Sequence, residues 1–206
     1  MAVWLVMTSC IHNKFGIQNS EKRQKEYTTA IQSVLKYIPA EIQVRIVENS
    51  TQSPTFLDEF DIPVVYTHHS NINVRNKGIL EFKDLLYTLH TQGAKPNDIV
   101  IKLTGRYSIL NSSFFEHVLK TQSEYDAWVK FYNVCTHEFM DNDCVLGLFA
   151  IRYKYLKRLD YSELGHTNSM EVDFATFVCK ECPRIDRIQD LGLHCIFGDN
   201  GGDTIC

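Results

Sequence analysis

Asp98-Ile-Val-Ile-Lys-Leu-Thr-Gly-Arg-Tyr107 follows a Pro96-Asn-Asp turn signal and opens with a β-branched apolar run, Ile99 to Leu103. A short apolar run bounded by turn residues predicts a buried strand. The strand ends in Thr104-Gly105-Arg106. Glycine at such a point lets the backbone come close to a ligand, and arginine offers forked donors to a phosphate or carboxylate. In open α/β sheets, ligands bind beyond the carboxyl ends of the strands. Thr104, Gly105 and Arg106 are therefore the first candidates for a site. The plain alternative is an ordinary turn with a solvated arginine.

Towards the N-terminus, the pattern alternates. Val3-Trp-Leu-Val-Met7 is a continuous apolar run, as in a strand covered on both faces. Ser20 to Tyr37 predicts a helix with Ser20 as N-cap and Tyr27, Ile31, Val34 and Leu35 on its apolar side. Ile42 to Val47 and Val64 to Tyr66 predict two further strands. Ile79 to His90 predicts a helix with Phe82, Leu85, Leu86 and Leu89 on one face. Strands alternating with helices imply an α/β fold with a mostly parallel sheet and right-handed crossovers. The loops after the strands, holding Thr8-Ser9, Glu48-Asn49, the run before Lys77 and Thr104-Gly105-Arg106, would then share one sheet edge. Past that point the pattern changes: a short helix at Ser113 to Lys120, strands at Ala127 to Tyr132 and Val145 to Ile151, and a short helix at Tyr153 to Leu159. A helix from Ser169 to Cys179 and edge strands near Arg184 to Ile188 and Leu193 to Phe197 complete it. No repeat or linker divides residues 1–206, which are read as one domain.

The 206 residues carry 21 basic and 25 acidic side chains, a net charge of -4. That disfavours a nucleic-acid partner held by bulk electrostatics. Seven scattered cysteines without a secretory segment do not suggest a disulfide framework. No apolar run reaches membrane-spanning length. A soluble, cytoplasmic protein is the expectation.

Several groups could carry chemistry. Glu48 and Asn49 end the second strand, where an acid or amide can hydrogen-bond a base or ribose. Arg75-Asn76-Lys77-Gly78 precedes a helix whose N-terminus favours anions; Arg23 is a weaker phosphate candidate. Glu171 and Asp173 open a late helix, where acids are favoured by the helix dipole but could also serve as a base. Asp141-Asn-Asp143 has the spacing of an acid pair for a divalent cation but lies in an apparent hairpin, and a turn is preferred. Cys179-x-x-Cys182 with His194-Cys195 looks like a zinc set. However, adjacent His and Cys rarely reach one metal, and Cys179 is placed on the apolar side of its helix. His194 is kept as a candidate for a diphosphate. No dinucleotide-binding glycine fingerprint, P-loop or nucleophile elbow occurs.

Taken in order, these pieces resemble the GT-A nucleotide-sugar glycosyltransferases. The matching segments are the first strand with Thr8-Ser9, Ile46-Val-Glu-Asn-Ser50, Asn76-Lys-Gly78, the strand Asp98 to Leu103, Gly147-Leu-Phe-Ala-Ile151 and Glu171-Val-Asp173. Size and the Ile101 to Tyr107 segment are similar to small single-domain viral and bacterial members. The resemblance implies a GT-A-like three-layer domain, with a central, mostly parallel sheet of about six strands flanked by helices. It implies a UDP-sugar donor and a glycan acceptor. Glu48, with Asn49, would contact the uracil, which Thr8 and Ser9 would line. Lys77 and Gly78 would lie by the sugar or diphosphate, and Glu171 or Asp173 would face the acceptor.

The family usually carries Asp-x-Asp where this chain has Thr104-Gly105-Arg106, and those acids hold a divalent metal, Mn or Mg. Either Arg106 with Lys77 replaces the cation, since a guanidinium also neutralises phosphate charge, or other ligands hold it, with His194, Asp199 and Asp203 the candidates. Weak or absent metal dependence is expected. The expected activity is transfer of a hexose or deoxyhexose to a glycan hydroxyl, with inversion or retention open. The alternatives are a sugar nucleotidyltransferase and a non-catalytic nucleotide- or glycan-binding module.

Overall fold

The structure, a computed structural model, describes residues 1–12, 18–71, 77–196 and 202–206. Its centre is a seven-stranded sheet. β1 (Val3–Ser9) is flanked by β2 (Ile42–Glu48) on one side and β4 (Ile99–Thr104) on the other. β3 (Val64–Tyr66) extends the sheet beyond β2. On the other side follow β9 (Leu148–Arg152), β6 (Ala127–Val129) and β10 (Ile185–Arg187). Only β9 runs against its neighbours; the other pairings are parallel. The sequence expectation of a mostly parallel sheet in an α/β layer structure holds, with one more strand than the six expected.

The strands alternate their side chains between two cores. Leu5, Met7, Ile101 and Leu103 face α1 (Ser20–Tyr37) and α3 (Ser113–Thr121). Trp4, Val6, Val100 and Phe149 face α2 (Lys77–Thr91), α4 (Tyr153–Leu156) and α5 (Met170–Glu181). Both faces are therefore covered, which explains why β1 and β4 are apolar throughout rather than alternating. A second, three-stranded sheet joins β5 (Ser108–Ile109), β11 (Leu193–Ile196) and β12 (Asp203–Ile205). A small hairpin joins β7 (Tyr132–Asn133) and β8 (Glu138–Phe139).

Some local expectations need correction. The N-cap of α1 is Asn19, whose side chain accepts from the Lys22 N–H; Ser20 is the first helical residue. Leu35 faces out, since α1 buries only the stripe through Tyr27, Ile31 and Val34. The strand expected over Ala127–Tyr132 stops at Val129, and Tyr132 enters the hairpin instead. Leu193–Ile196 is not an edge of the main sheet but the middle of the small one. Cys179 is exposed, whereas Cys182 and Cys195 are buried in opposite cores. Asp141 and Asp143 lie in a turn, where Asp143 accepts from Asn133 and from the Cys144 N–H and Asp141 pairs with Arg187.

Candidate functional site

The carboxyl ends of β1, β2 and β4 lie side by side. Ser9 is in register with Glu48, and Thr8 with Thr104. The chain is stitched across this edge by Gly105 N–H to the Thr8 carbonyl (2.9 Å) and Asn49 N–H to the Ser9 carbonyl (3.2 Å). The loops singled out from the sequence at Thr8-Ser9, Glu48-Asn49 and Thr104-Gly105-Arg106 thus converge. Arg75 and Asn76 lie outside the described residues, and Lys77 supplies the first residue of α2, with its side chain likewise outside them. Gly78 lies in the first turn of that helix.

On the β2 side the polar groups are turned inward. Glu48 is 0% exposed. Its carboxylate accepts from Ser9 Oγ (2.7 Å), the Ile11 N–H (3.2 Å) and the Ser50 N–H and Oγ. A buried carboxylate needs such donors, and here they fold the loop after β1 onto the end of β2. The Asn49 amide donates to Asp84 Oδ2 (2.6 Å), while Asp84 Oδ1 meets Thr67 Oγ1 (2.8 Å) and His69 Nδ1 (2.6 Å). Burial pushes the Asp84 carboxyl above its ordinary range, against the pull of these partners. Among the described residues, the buried Asn49 Oδ1 has no hydrogen-bond partner.

The tip of β4 divides between the two faces of the sheet. On the α2 face, Lys102 breaks an otherwise apolar strand. Its ammonium lies 2.5 Å from Glu81 Oε2 and donates to Thr104 Oγ1 (2.6 Å) and the Leu146 carbonyl (3.0 Å). Thr8 and Thr104 hydroxyls donate to the same Glu81 oxygen, at 3.3 and 3.4 Å. Glu81 stays 31% exposed, so this network lies at the surface of the edge. On the α1 face, Arg106 Nη1 reaches Glu26 Oε2 (3.4 Å) and the Ile196 carbonyl (3.1 Å). Arg23 is buried against the Cys10 carbonyl and Tyr27 Oη, and among the described residues its Nε–H finds no acceptor.

Tyr27 lies between these groups. Its hydroxyl accepts from the Cys10 N–H (2.9 Å) and from Arg23 (3.1 Å). Burial pushes it up to about 12 despite the Arg23 charge, so it is neutral. Gly105 owes its identity to this crowding. A Cβ there would lie 2.6 Å from the Thr8 carbonyl oxygen and 3.1 Å from Tyr27 Cε1. The close approach inferred from the sequence is real, but the partner is the chain's own backbone.

The two acids at the start of α5 differ. Asp173 accepts from the Gly165 N–H (2.7 Å) and Asn168 Nδ2 (2.9 Å), and so ties the preceding loop to the helix. Among the described residues, the half-buried Glu171 carboxylate takes no hydrogen bond or ion pair. Its charge is felt by Tyr107, whose phenol is raised above its ordinary range chiefly by burial, and the Tyr107 ring occupies the space over Gly147, beside Leu148 of β9. His194 Nε2 meets Asp203 Oδ2 at 2.7 Å, on the α1 side. Glu81, Lys102, Tyr27 and Tyr107 were not picked out from the sequence. The one available signal was Lys102: a lysine inside a buried strand needs a partner.

A divalent cation fits poorly at the tip of β4. Among the described residues, no three His, Cys, Asp or Glu side chains converge, and Glu81 is already neutralised by Lys102. Asp199 lies outside the described residues. Among those residues no helix is long and apolar enough to cross a membrane.

The seven-stranded order with one reversed strand, helices on both faces and a polar edge at β1, β2 and β4 is a GT-A-like fold. Solved structures agree. S. aureus TarS 1–349 in complex with UDP superposes with a TM-score of 0.56 at 13% identity, over 92% of this chain and 58% of that one. The mannosyltransferase PcManGT from Pyrobaculum calidifontis, in complex with GDP-Man and Mn2+, gives 0.59 at 10% identity, over 92% of this chain and 55% of that one. The 4-diphosphocytidyl-2C-methyl-D-erythritol synthase of Anaerococcus prevotii gives 0.55 at 12% identity, over 91% and 86%. The chain thus spans little more than half the length of the first two. No protein-family model and no curated protein sequence matches it.

Proposed function

We propose that the chain transfers a hexose or deoxyhexose from a UDP-sugar to a hydroxyl of a glycan. The observation that carries this is Arg106, a cation held at the tip of β4 beside the converging ends of β1 and β2. A diphosphate leaving group needs charge stabilisation at that point, and a guanidinium supplies it in a partly dry setting. Thr8 and Ser9 line the base, and Glu48 and Asn49 shape that pocket from within. Arg23 braces the same loop. Gly78, in the first turn of the 15-residue α2, offers the diphosphate a helix N-terminus, with Lys77 as a second cation. Thr104 and Gly105 form the floor, and His194 closes the α1 side. Glu171, with an unengaged carboxylate, orients or deprotonates the acceptor hydroxyl; Asp173 serves as its positioning neighbour. A metal would add to the charge on the diphosphate side, but no step depends on it.

The second reading is a sugar nucleotidyltransferase, favoured by the likeness to the diphosphocytidyl-methylerythritol synthase. Against it stands the loop after β1, Thr8-Ser-Cys-Ile-His-Asn-Lys14, with one lysine and no glycine.

Thermal shift with UDP, UDP-sugars, CTP and free sugars, with manganese or with chelator, is the test. Stabilisation by UDP is expected, and Arg106→Ala should weaken UDP at least about tenfold, the loss of one charge-assisted bond. Turnover of a UDP-sugar should follow. UDP binding without turnover of any donor leaves a binding module, and pyrophosphate release from CTP and a sugar phosphate leaves the nucleotidyltransferase. No response to any nucleotide overturns the transferase, the nucleotidyltransferase and the nucleotide-binding module.

A further inference from the structure

A cleft of about 440 Å³ opens between α1 and the small sheet, lined in part by Glu26 and Ile196, the partners of Arg106. Lys22, Glu26 and Thr29 line it from one stripe of α1, at helical spacing. His194 and Ile196 of β11 form the facing wall, and Ser108 of β5 lies between. Asp203 of β12 also lines the cleft and fixes the His194 ring at 2.7 Å.

Glu26 is the informative group. It is 8% exposed, and Oε2 is taken by Arg106 at 3.4 Å. Among the described residues Oε1 finds no hydrogen-bond donor; the Lys22 ammonium stands 3.9 Å away. A buried carboxylate oxygen without a hydrogen-bond donor is costly, and a ligand hydroxyl entering the cleft would relieve that cost. The lining mixes two lysines, Lys22 and Lys25, with two carboxylates, Glu26 and Asp203, and the hydroxyls of Thr29 and Ser108, and Ile196 adds an apolar patch. Neutral rings with several hydroxyls and one apolar face match that lining.

We propose that this cleft is the acceptor's sugar subsite, where a pyranose hydroxyl donates to Glu26 Oε1. Arg106, which follows β4, reaches Glu26 and the Ile196 carbonyl, both in the cleft wall, and so links the cleft to the candidate donor edge. The acceptor assignment rests on the transferase reading above; the sugar site does not.

The probes are methyl glycopyranosides of common hexoses and deoxyhexoses, titrated into protein carrying 13C-methyl isoleucine. At least one should move the Ile196 methyls with Kd on the order of 1 mM. Thr29→Trp, an exposed change that fills the cleft, should abolish that response while UDP affinity stays unchanged. Glu26→Gln should weaken the response about tenfold. No glycoside moving Ile196, an unaltered response in Thr29→Trp, or stronger binding by inorganic phosphate would overturn the site, and turnover of a UDP-sugar would show that the transferase reading survives. A glycoside response with no nucleotide response keeps the sugar site and removes the acceptor assignment together with the transferase.

Discussion

Replacing Gly105 with alanine should be among the more costly small changes in this protein. The added Cβ would lie 2.6 Å from the Thr8 carbonyl oxygen, where ordinary contact begins at 3.4 Å, so one strand end must move by about 0.8 Å. Thr8 cannot yield easily: it is in register with both Val47 and Thr104, and its carbonyl accepts from the Gly105 N–H. Tyr27, at 3.1 Å, is pinned through its hydroxyl by Cys10 and Arg23. Overpacking of this kind costs about 2–3 kcal/mol, or a fall in Tm of roughly 5–10 °C for a chain of this size. Gly93→Ala is the control. Gly93 has φ +74° and nothing within 4 Å of a new Cβ, so only left-handed strain applies, about 1 kcal/mol. Thermal and urea unfolding of both variants would measure the difference. If Gly105→Ala costs no more than Gly93→Ala, the crowding argument is wrong. The same displacement should shift Arg106 away from Glu26 and weaken nucleotide binding in step with the loss of stability.

Three further outcomes follow from the structure. Asp126 is buried beneath Arg152 and Arg184, with hydrogen bonds of 3.0 Å to each Nε. Burial pulls its carboxyl up, but the arginines outweigh this and hold it below the usual range. Its contribution is therefore complete above the unfolded value of about 3.9 and is lost as pH falls through the lower folded value. Asp126→Asn should cost about 3 kcal/mol at pH 7, with the gap to the unmodified protein closing below about pH 4; a gap that persists unchanged to pH 3 would refute the ion-pair account. At the start of α5, Asp173→Ala should lower stability by about 1–2 kcal/mol through lost loop and helix-terminus bonds. Glu171→Gln should leave stability and UDP affinity alone but reduce turnover on the order of 10²-fold or more, and full turnover in that variant would remove Glu171 from the chemistry.

The alternation of strands and helices, the two-sided burial of β1 and β4 and the gathering of Thr8, Glu48 and Thr104 at one edge were legible from hydrophobic period and turn residues. Those signals are local, and parallel connectivity follows from them through chain length and handedness. The reversed β9 was not legible, because a buried strand is apolar whichever way it runs. Tyr27 was read only as a helix-face residue, because its hydroxyl partners Cys10 and Arg23 are joined to it by the fold and not by spacing.

By itself, the sequence determined that Ile99–Leu103 is a buried strand followed by a glycine and a cation at the carboxyl edge of the sheet. The tertiary structure decided what those residues touch. Gly105 is required by the Thr8 carbonyl and Tyr27. Arg106 turns to Glu26 on one face, while Lys102 and Thr104 turn to Glu81 on the other. Residue type fixes which partners a side chain can accept. Which partner it meets depends on helices that lie far along the chain and arrive only through packing.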